Sequence, residues 1–156
     1  MRLRFVAGPS SDSTTDLCIT ASWDGNLRTW DPRSTPSNNT LHTPLPGKAF
    51  SMDVSGNTVI VVCAQRHIVI YDVRKLAGEM QQATDKRGQV DPDQKRESSL
   101  KFMTRAVRLN PEGNAFASTS IEGRAAVDFI DRSTEAQAKK YAFKVCLTNI
   151  YFELQT

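Results

Sequence analysis

In this chain of 156 residues, the charged side chains most able to act together are Arg105, Arg124 and Lys144. Arg105 opens a strand-like run, Arg124 follows the turn at Glu122-Gly123, and Lys144 closes the short run Tyr141-Ala-Phe-Lys. In an antiparallel meander of strands A, B, C and D, the chain reverses with every strand. The start of A, the turn from B to C and the end of D then share one end of the sheet, so the three cations converge on one rim. Guanidinium forks bind carboxylate or phosphate through paired hydrogen bonds, and an ammonium adds a point charge. Such a trio suits an acidic or phosphorylated peptide. The plainer reading of Arg105 and Arg108 is a pair of outward-facing strand arginines. Trp23, predicted on the same rim, fits both stacking against a peptide side chain and packing within its own turn.

Other chemistry finds little footing. The two histidines are His42, in a proline-rich loop, and His67, at the start of a strand. Neither has a cysteine or carboxylate at metal-ligand or triad spacing. Gly47-Lys48 lacks the preceding glycine-rich loop that cradles phosphate and reads as a turn. Asp24 and Glu122 sit where turn residues normally sit. The sequence predicts no catalytic residue, no metal, no cofactor and no enzymatic activity.

The elements that must position the rim are visible as an internal echo. Thr20-Ala-Ser-Trp-Asp-Gly-Asn-Leu-Arg-Thr-Trp30-Asp31, Val62-Cys-Ala-Gln-Arg-His-Ile-Val-Ile-Tyr71-Asp72 and Thr119-Ser-Ile-Glu-Gly-Arg-Ala-Ala-Val-Asp-Phe-Ile-Asp131 each read strand, tight turn, strand. Superposing the turns sets Asp24 on Gln65 and Glu122, at separations of 41 and 57 residues. The first is one WD-type blade, roughly 40–45 residues; a polar insert at about 77–97 lengthens the second. The fold class is all-β, a WD-repeat β-propeller, with blades at about 1–47, 48–101 and 102–144. A blade buries its faces only against neighbours, and rings close with about four to eight blades. Three blades therefore read as part of a larger propeller.

Within these blades, Asp24-Gly25 is expected to supply the positive φ angles of a two-residue hairpin turn. A fourth strand is expected near Thr40 to His42, and the outer strand of the second blade at Ser98 to Lys101. Trp30 and Tyr71 are expected to pack between blades. One helical turn is expected in Ser133 to Lys140 and no other helix. The insert has the composition of a disordered loop.

The net charge of +3, from 20 basic and 17 acidic side chains, is nearly balanced. The densest charge, from Asp85 to Glu97, mixes both signs and reads as a solvated loop, so nucleic acid is not an expected partner. Cys18, Cys63 and Cys146 are odd in number, far apart and not preceded by a secretory signal, which points to a reducing nuclear or cytoplasmic compartment. Cys18 and Cys63 lie in apolar runs and are expected to be buried. Asn38-Asn39-Thr40 matches a glycosylation acceptor only if the chain is secreted. The longest apolar run, around Val59 to Cys63, is too short to span a bilayer.

Arg96-Glu-Ser-Ser-Leu-Lys-Phe-Met-Thr-Arg105, Ser120-Ile-Glu-Gly-Arg124-Ala-Ala-Val and Lys140-Tyr-Ala-Phe-Lys144 are more specific than a generic blade pattern. Over Met1 to Lys144 the chain resembles the mitotic spindle-checkpoint WD-repeat proteins of the Bub family. The related messenger-RNA export factors of the Rae/Gle family share the Ser-Ile-Glu-Gly-Arg segment. Arg96-Glu-Ser-Ser-Leu-Lys and Phe50-Ser-Met-Asp-Val-Ser-Gly-Asn favour the checkpoint branch. The resemblance implies the middle blades of a seven-bladed, non-enzymatic adaptor in the nucleus and, in mitosis, at kinetochores. It also implies the partners. Cations matching Arg105 and Arg124 meet glutamates of a short motif in checkpoint kinases or kinase-like proteins. Those matching Arg124 and Lys144 meet a phosphothreonine of a kinetochore scaffold.

The family pattern continues past Lys144 with a Cys-His-Arg segment and further blades, whereas this chain reads Val145-Cys146-Leu147 and ends at Thr156. Residues 145–156 are the kind of tail a retained intron or misjoined gene model produces. The rival expectations are an export-type factor binding a nucleoporin motif and RNA, and a non-functional truncated product.

Overall fold

The computed structural model describes residues 2–6, 17–32, 40–82 and 90–145. The first sheet comprises β1 (Arg2–Val6), β2 (Leu17–Ala21), β3 (Asn26–Trp30) and β4 (Thr40–Pro44). The second holds β5 (Ala49–Ser55), β6 (Thr58–Cys63), β7 (His67–Asp72) and β8 (Gln94–Glu97). The third holds β9 (Thr104–Leu109), β10 (Ala115–Ser120), β11 (Arg124–Phe129) and β12 (Tyr141–Lys144). Each is an antiparallel meander in chain order. Strands β1, β5 and β9 lie side by side as the inner strands. These are three blades of a β-propeller, the expected fold class.

The central strands of the middle blade, β6 and β7, show why they read as nearly unbroken apolar runs: both faces are covered there, so neither parity of their alternating side chains meets water. Val59, Val61, Cys63, Val69 and Tyr71 join a buried cluster with Ile19, Leu27 and Leu41 of the first blade. Ile60, Val62, Ile68 and Ile70 cluster with Val107 and Phe116 of the third. Each such side chain, fully buried, contributes about 1.5–3 kcal/mol. Cys18 and Cys63 are buried, as expected; burial pushes the Cys63 thiol up to about 12. Tyr71 is buried as well, whereas Trp30 is 38% exposed. The Trp30 indole Nε1 donates to Thr20 Oγ1 at 3.2 Å, which holds its ring at the blade edge.

The second and third blades are also clasped by polar groups. Period-two alternation puts Ser51, Asp53 and Ser55 on one side of β5. Ser51 Oγ accepts from the Val107 N–H at 3.3 Å, and Asp53 Oδ2 from the Leu109 N–H at 2.9 Å. Ser55 Oγ donates to the Pro111 carbonyl at 2.9 Å. The turns meet so closely that a Cβ on Gly113 would stand 3.2 Å from the Ser55 carbonyl oxygen.

Several expectations need correction. The β2–β3 connection is a three-residue loop rather than a two-residue turn. Ser22 N–H bonds the Asn26 carbonyl, and Gly25 alone takes a positive φ, +76°. Asp24 keeps an ordinary backbone because its Oδ1 accepts the Asn26 N–H at 3.0 Å.

A helix expected nowhere near the insert, α1 (Val73–Gln82), runs into it. Val73 and Leu76 are buried in the first cluster, with Ala77 and Met80 packed against it, so one helical stripe fills the groove beside β4. Asp72 caps this helix, accepting the Arg74 N–H at 2.8 Å. The outer strand of the second blade is β8, Gln94–Glu97, and not Ser98 to Lys101. Ser98 and Leu100 are buried in a bend, where Ser98 Oγ accepts the Leu100 N–H and the Thr104 hydroxyl.

The expected fourth strand is β4, and the expected helical turn is α2 (Thr134–Ala138), capped by Ser133 Oγ, which accepts the Ala136 N–H at 3.2 Å. Asn38 and Asn39, residues 83–89 of the insert, Cys146 and the rest of the tail to Thr156 lie outside the described residues.

Candidate peptide-binding rim

Arg105 owes its position to a β-bulge. Ala106 pairs with Thr119, and Thr104 with Ser120, which leaves Arg105 as an extra residue between them. A bulge re-aims its side chain out of the regular pleat. The guanidinium lies over the Phe50 ring, 5.2 Å from its centroid. Phe50 occupies the matching extra position in β5, between the pairs Ala49–Cys63 and Ser51–Val62.

Arg124 and Lys144 are direct cross-strand partners on β11 and β12. Cβ atoms of such pairs stand about 4.5–5.5 Å apart, and like charges so placed repel. Both side chains are exposed. The matching pairs in the other blades are Asn26–Pro44 and His67–Glu97. Of the three blades, therefore, the third carries two cations at this place. In the second, Glu97 pairs with Arg66 at 3.1 Å.

Backbone hydrogen bonds fix the common end of the three cations. The Ile121 N–H bonds the Met103 carbonyl at 3.0 Å, joining the B-to-C turn to the start of β9. The Val145 N–H bonds the Gly123 carbonyl at 2.8 Å, joining the end of β12 to the same turn. With strands about 4.8 Å apart, Arg105 and Lys144 span about 14 Å across the blade. Trp23, 60% exposed, belongs to the corresponding turn of the first blade, tied to β5 through the bond from Ala49 N–H to the Ser22 carbonyl. The middle blade stands between it and the cations, so Trp23 shares their rim but not their blade.

Sequence reasoning placed Glu122 among ordinary turn residues. Its Oε2 stands 3.7 Å from Arg124 Nε, and its Oε1 is buried with no hydrogen-bond partner. The signal was the spacing of two residues around Gly123, whose φ of +75° folds the turn back on itself. The equivalent Asp24 is bound differently, by Arg28 Nη2 at 2.5 Å, which holds its carboxyl below the usual range.

Among the described residues, no group of three or more His, Cys, Asp or Glu side chains is placed to hold a metal ion. No helix among them is long and apolar enough to cross a membrane. The chemistry this rim offers is charge-assisted hydrogen bonding to anions.

No protein-family model matches the chain. Over 129 residues it is 44% identical to mitotic checkpoint protein BUB3.1 of Arabidopsis thaliana, covering 81% of this chain and 34% of that protein. It is 37% identical over 135 residues to mitotic checkpoint protein bub3 of Dictyostelium discoideum, covering 85% and 37%. The mRNA export factor rae-1 of Caenorhabditis elegans is 31% identical over 121 residues, covering 72% and 28%. The chain spans about a third of the length of the curated relatives it matches. With three propeller blades and these identities in hand, the chain belongs to the Bub family of WD-repeat proteins.

Proposed function

We propose that this protein is a non-enzymatic mitotic checkpoint adaptor of the nucleus and kinetochore. It recruits partners by binding short peptides on the rim that carries Arg105, Arg124 and Lys144. The observation that carries the proposal is the cross-strand pairing of Arg124 with Lys144. Two exposed cations held side by side repel one another and gain from an anion placed between them. Phosphothreonine of a scaffold peptide supplies about −1.5 to −2 charges and three acceptor oxygens there, while glutamates of a separate short motif pair with Arg105 and Arg124. The relatives' names, mitotic checkpoint proteins, support a checkpoint role in general; the partners proposed within it are kinases or kinase-like proteins with a glutamate-bearing motif and a phosphorylated kinetochore scaffold.

The test is calorimetric titration of the full chain and of Arg124→Ala with a glutamate-bearing peptide, with and without phosphothreonine. A charge-assisted bond is worth about 1.5–3 kcal/mol, so the variant is expected to lose about tenfold or more with the phosphopeptide. It is expected to lose less with the unphosphorylated peptide. Equal losses would show that Arg124 does not read phosphate. Salt-sensitive binding of single-stranded RNA in place of either peptide would favour an export-type role.

A further inference from the structure

We infer that Glu122 is an internal competitor for Arg124, a carboxylate built into the β10–β11 turn that weakens the rim's hold on anionic ligands. This rests on the reading of the rim as an anion site. The Glu122 Oε2 to Arg124 Nε separation of 3.7 Å is an ion-pair distance but too long for a hydrogen bond. The other oxygen, Oε1, is shut away from solvent and has no donor. A carboxylate in that state is poorly compensated for its lost hydration. Asp24, at the same turn position of the first blade, is fully served by comparison: it accepts the Asn26 N–H at 3.0 Å and pairs with Arg28 at 2.5 Å.

What distinguishes the third-blade turn is where its charge is aimed. Glu122 partly neutralises a cation whose cross-strand neighbour is Lys144. An anion arriving at Arg124 meets the Glu122 charge well inside the Debye length of about 8 Å at physiological salt. To bond the Arg124 guanidinium it must displace that carboxylate, which lowers affinity. A phosphate, which draws more of its hold from the paired cations than a single carboxylate does, loses more.

The test uses the neutral isostere Glu122→Gln in the full chain, titrated with a synthetic peptide carrying glutamate and phosphothreonine. Glu122→Ala serves as a second variant, and thermal melts confirm that both fold like the parent. Glu122→Gln is expected to tighten phosphopeptide binding roughly two- to fivefold at low salt, the scale of a partly exposed ion pair. The gain should be smaller for the unphosphorylated peptide and absent in the Arg124→Ala background. If Arg124→Ala weakens binding while both Glu122 variants bind no better than the parent, Glu122 is not a competitor. If the gain survives without Arg124, it is a general charge effect and the inference fails. If Arg124→Ala changes nothing, the reading of the rim falls and this inference with it.

Discussion

Phe50 and Arg105 occupy the same bulged position at the head of the inner strand in adjacent blades, and the guanidinium of one lies 5.2 Å from the ring centre of the other. The bulge adds one residue to each strand and turns its side chain out of the pleat. The repeat thus delivers an aromatic face beneath a cation exposed to solvent. A cation–π contact at an exposed site is worth about 0.5–1 kcal/mol. Much of its use is to hold the long arginine side chain in one orientation.

Phe50→Leu keeps the apolar contact and removes the ring. Binding of a glutamate-bearing peptide is expected to weaken roughly two- to fivefold, with no further loss once Arg105 is alanine. A double-mutant cycle by calorimetry checks this. Equal losses from Phe50→Leu with and without Arg105 would show that the ring acts independently of the cation.

Arg96 ties the second blade to the third. Its Nη1 donates to the Phe129 carbonyl at 2.5 Å and its Nη2 to the Ile130 carbonyl, beside Gln94 Nε2, which donates to Ile130 at 3.2 Å. Burial, first, and then the nearby Arg132 charge lower the Arg96 pKa. Arg96→Ala is expected to cost about 1.5–3 kcal/mol in denaturant unfolding. Arg96→Lys should recover only part of this, since an ammonium cannot reach two carbonyls with a planar fork. Full recovery by lysine would reduce Arg96 to a packing role.

The blades were legible through the repeated echo of strand, tight turn and strand, with apolar runs such as Thr58–Cys63 fitting strands covered on both faces. The meander then dictates which ends converge. The misses share a cause. The β8 segment Gln-Lys-Arg-Glu carries no apolar signal because its strand pairing is made by backbone and its side chains bond carbonyls of the next blade. The stripe Val73, Leu76, Ala77 and Met80 has helical spacing. It was hidden because the polar residues around it look like a loop. Glu122 escaped as a site residue because turn carboxylates are common, and only its distance to Arg124 separates it from Asp24.

Asp72 gives the second blade a pH-dependent contribution. Its side-chain bonds with Arg74, at 2.6 and 3.1 Å, and the Arg74 N–H it accepts at α1 hold its carboxyl below the usual range, against some desolvation. A carboxyl depressed in the folded state stabilises fully above its unfolded pKa of about 3.9, and the contribution fades as pH falls through the folded value. Asp72→Asn retains the cap and loses the charge. The parent is expected to melt higher than Asp72→Asn at pH 6, by no more than about 1 kcal/mol for so exposed a pair. The two should converge as pH falls through the depressed folded value. Parallel melting curves at every pH would show that the Asp72 charge contributes nothing.

Gln65 and Arg66 are adjacent non-glycine residues with φ of 57° and 67°, in a tight turn closed by the bond from the His67 N–H to the Ala64 carbonyl. A left-handed backbone costs an ordinary residue about 1–2 kcal/mol, and two-residue turns of this kind favour Asn-Gly. Arg66 offsets its cost: Nη1 pairs with Glu97 at 3.1 Å, and Nη2 donates to the Ser98 carbonyl at 2.9 Å. Gln65 is exposed. Gln65→Asn is therefore expected to stabilise the chain by about 0.5–1 kcal/mol, and Gln65→Gly by less, because glycine adds freedom to the unfolded chain. Arg66→Gly relieves the same strain yet is expected to destabilise, since it releases Glu97 and the Ser98 carbonyl from their partner. Urea unfolding of the three variants checks the opposite signs at neighbouring positions. Stabilisation by Arg66→Gly would mean that strain outweighs the bonds Arg66 makes.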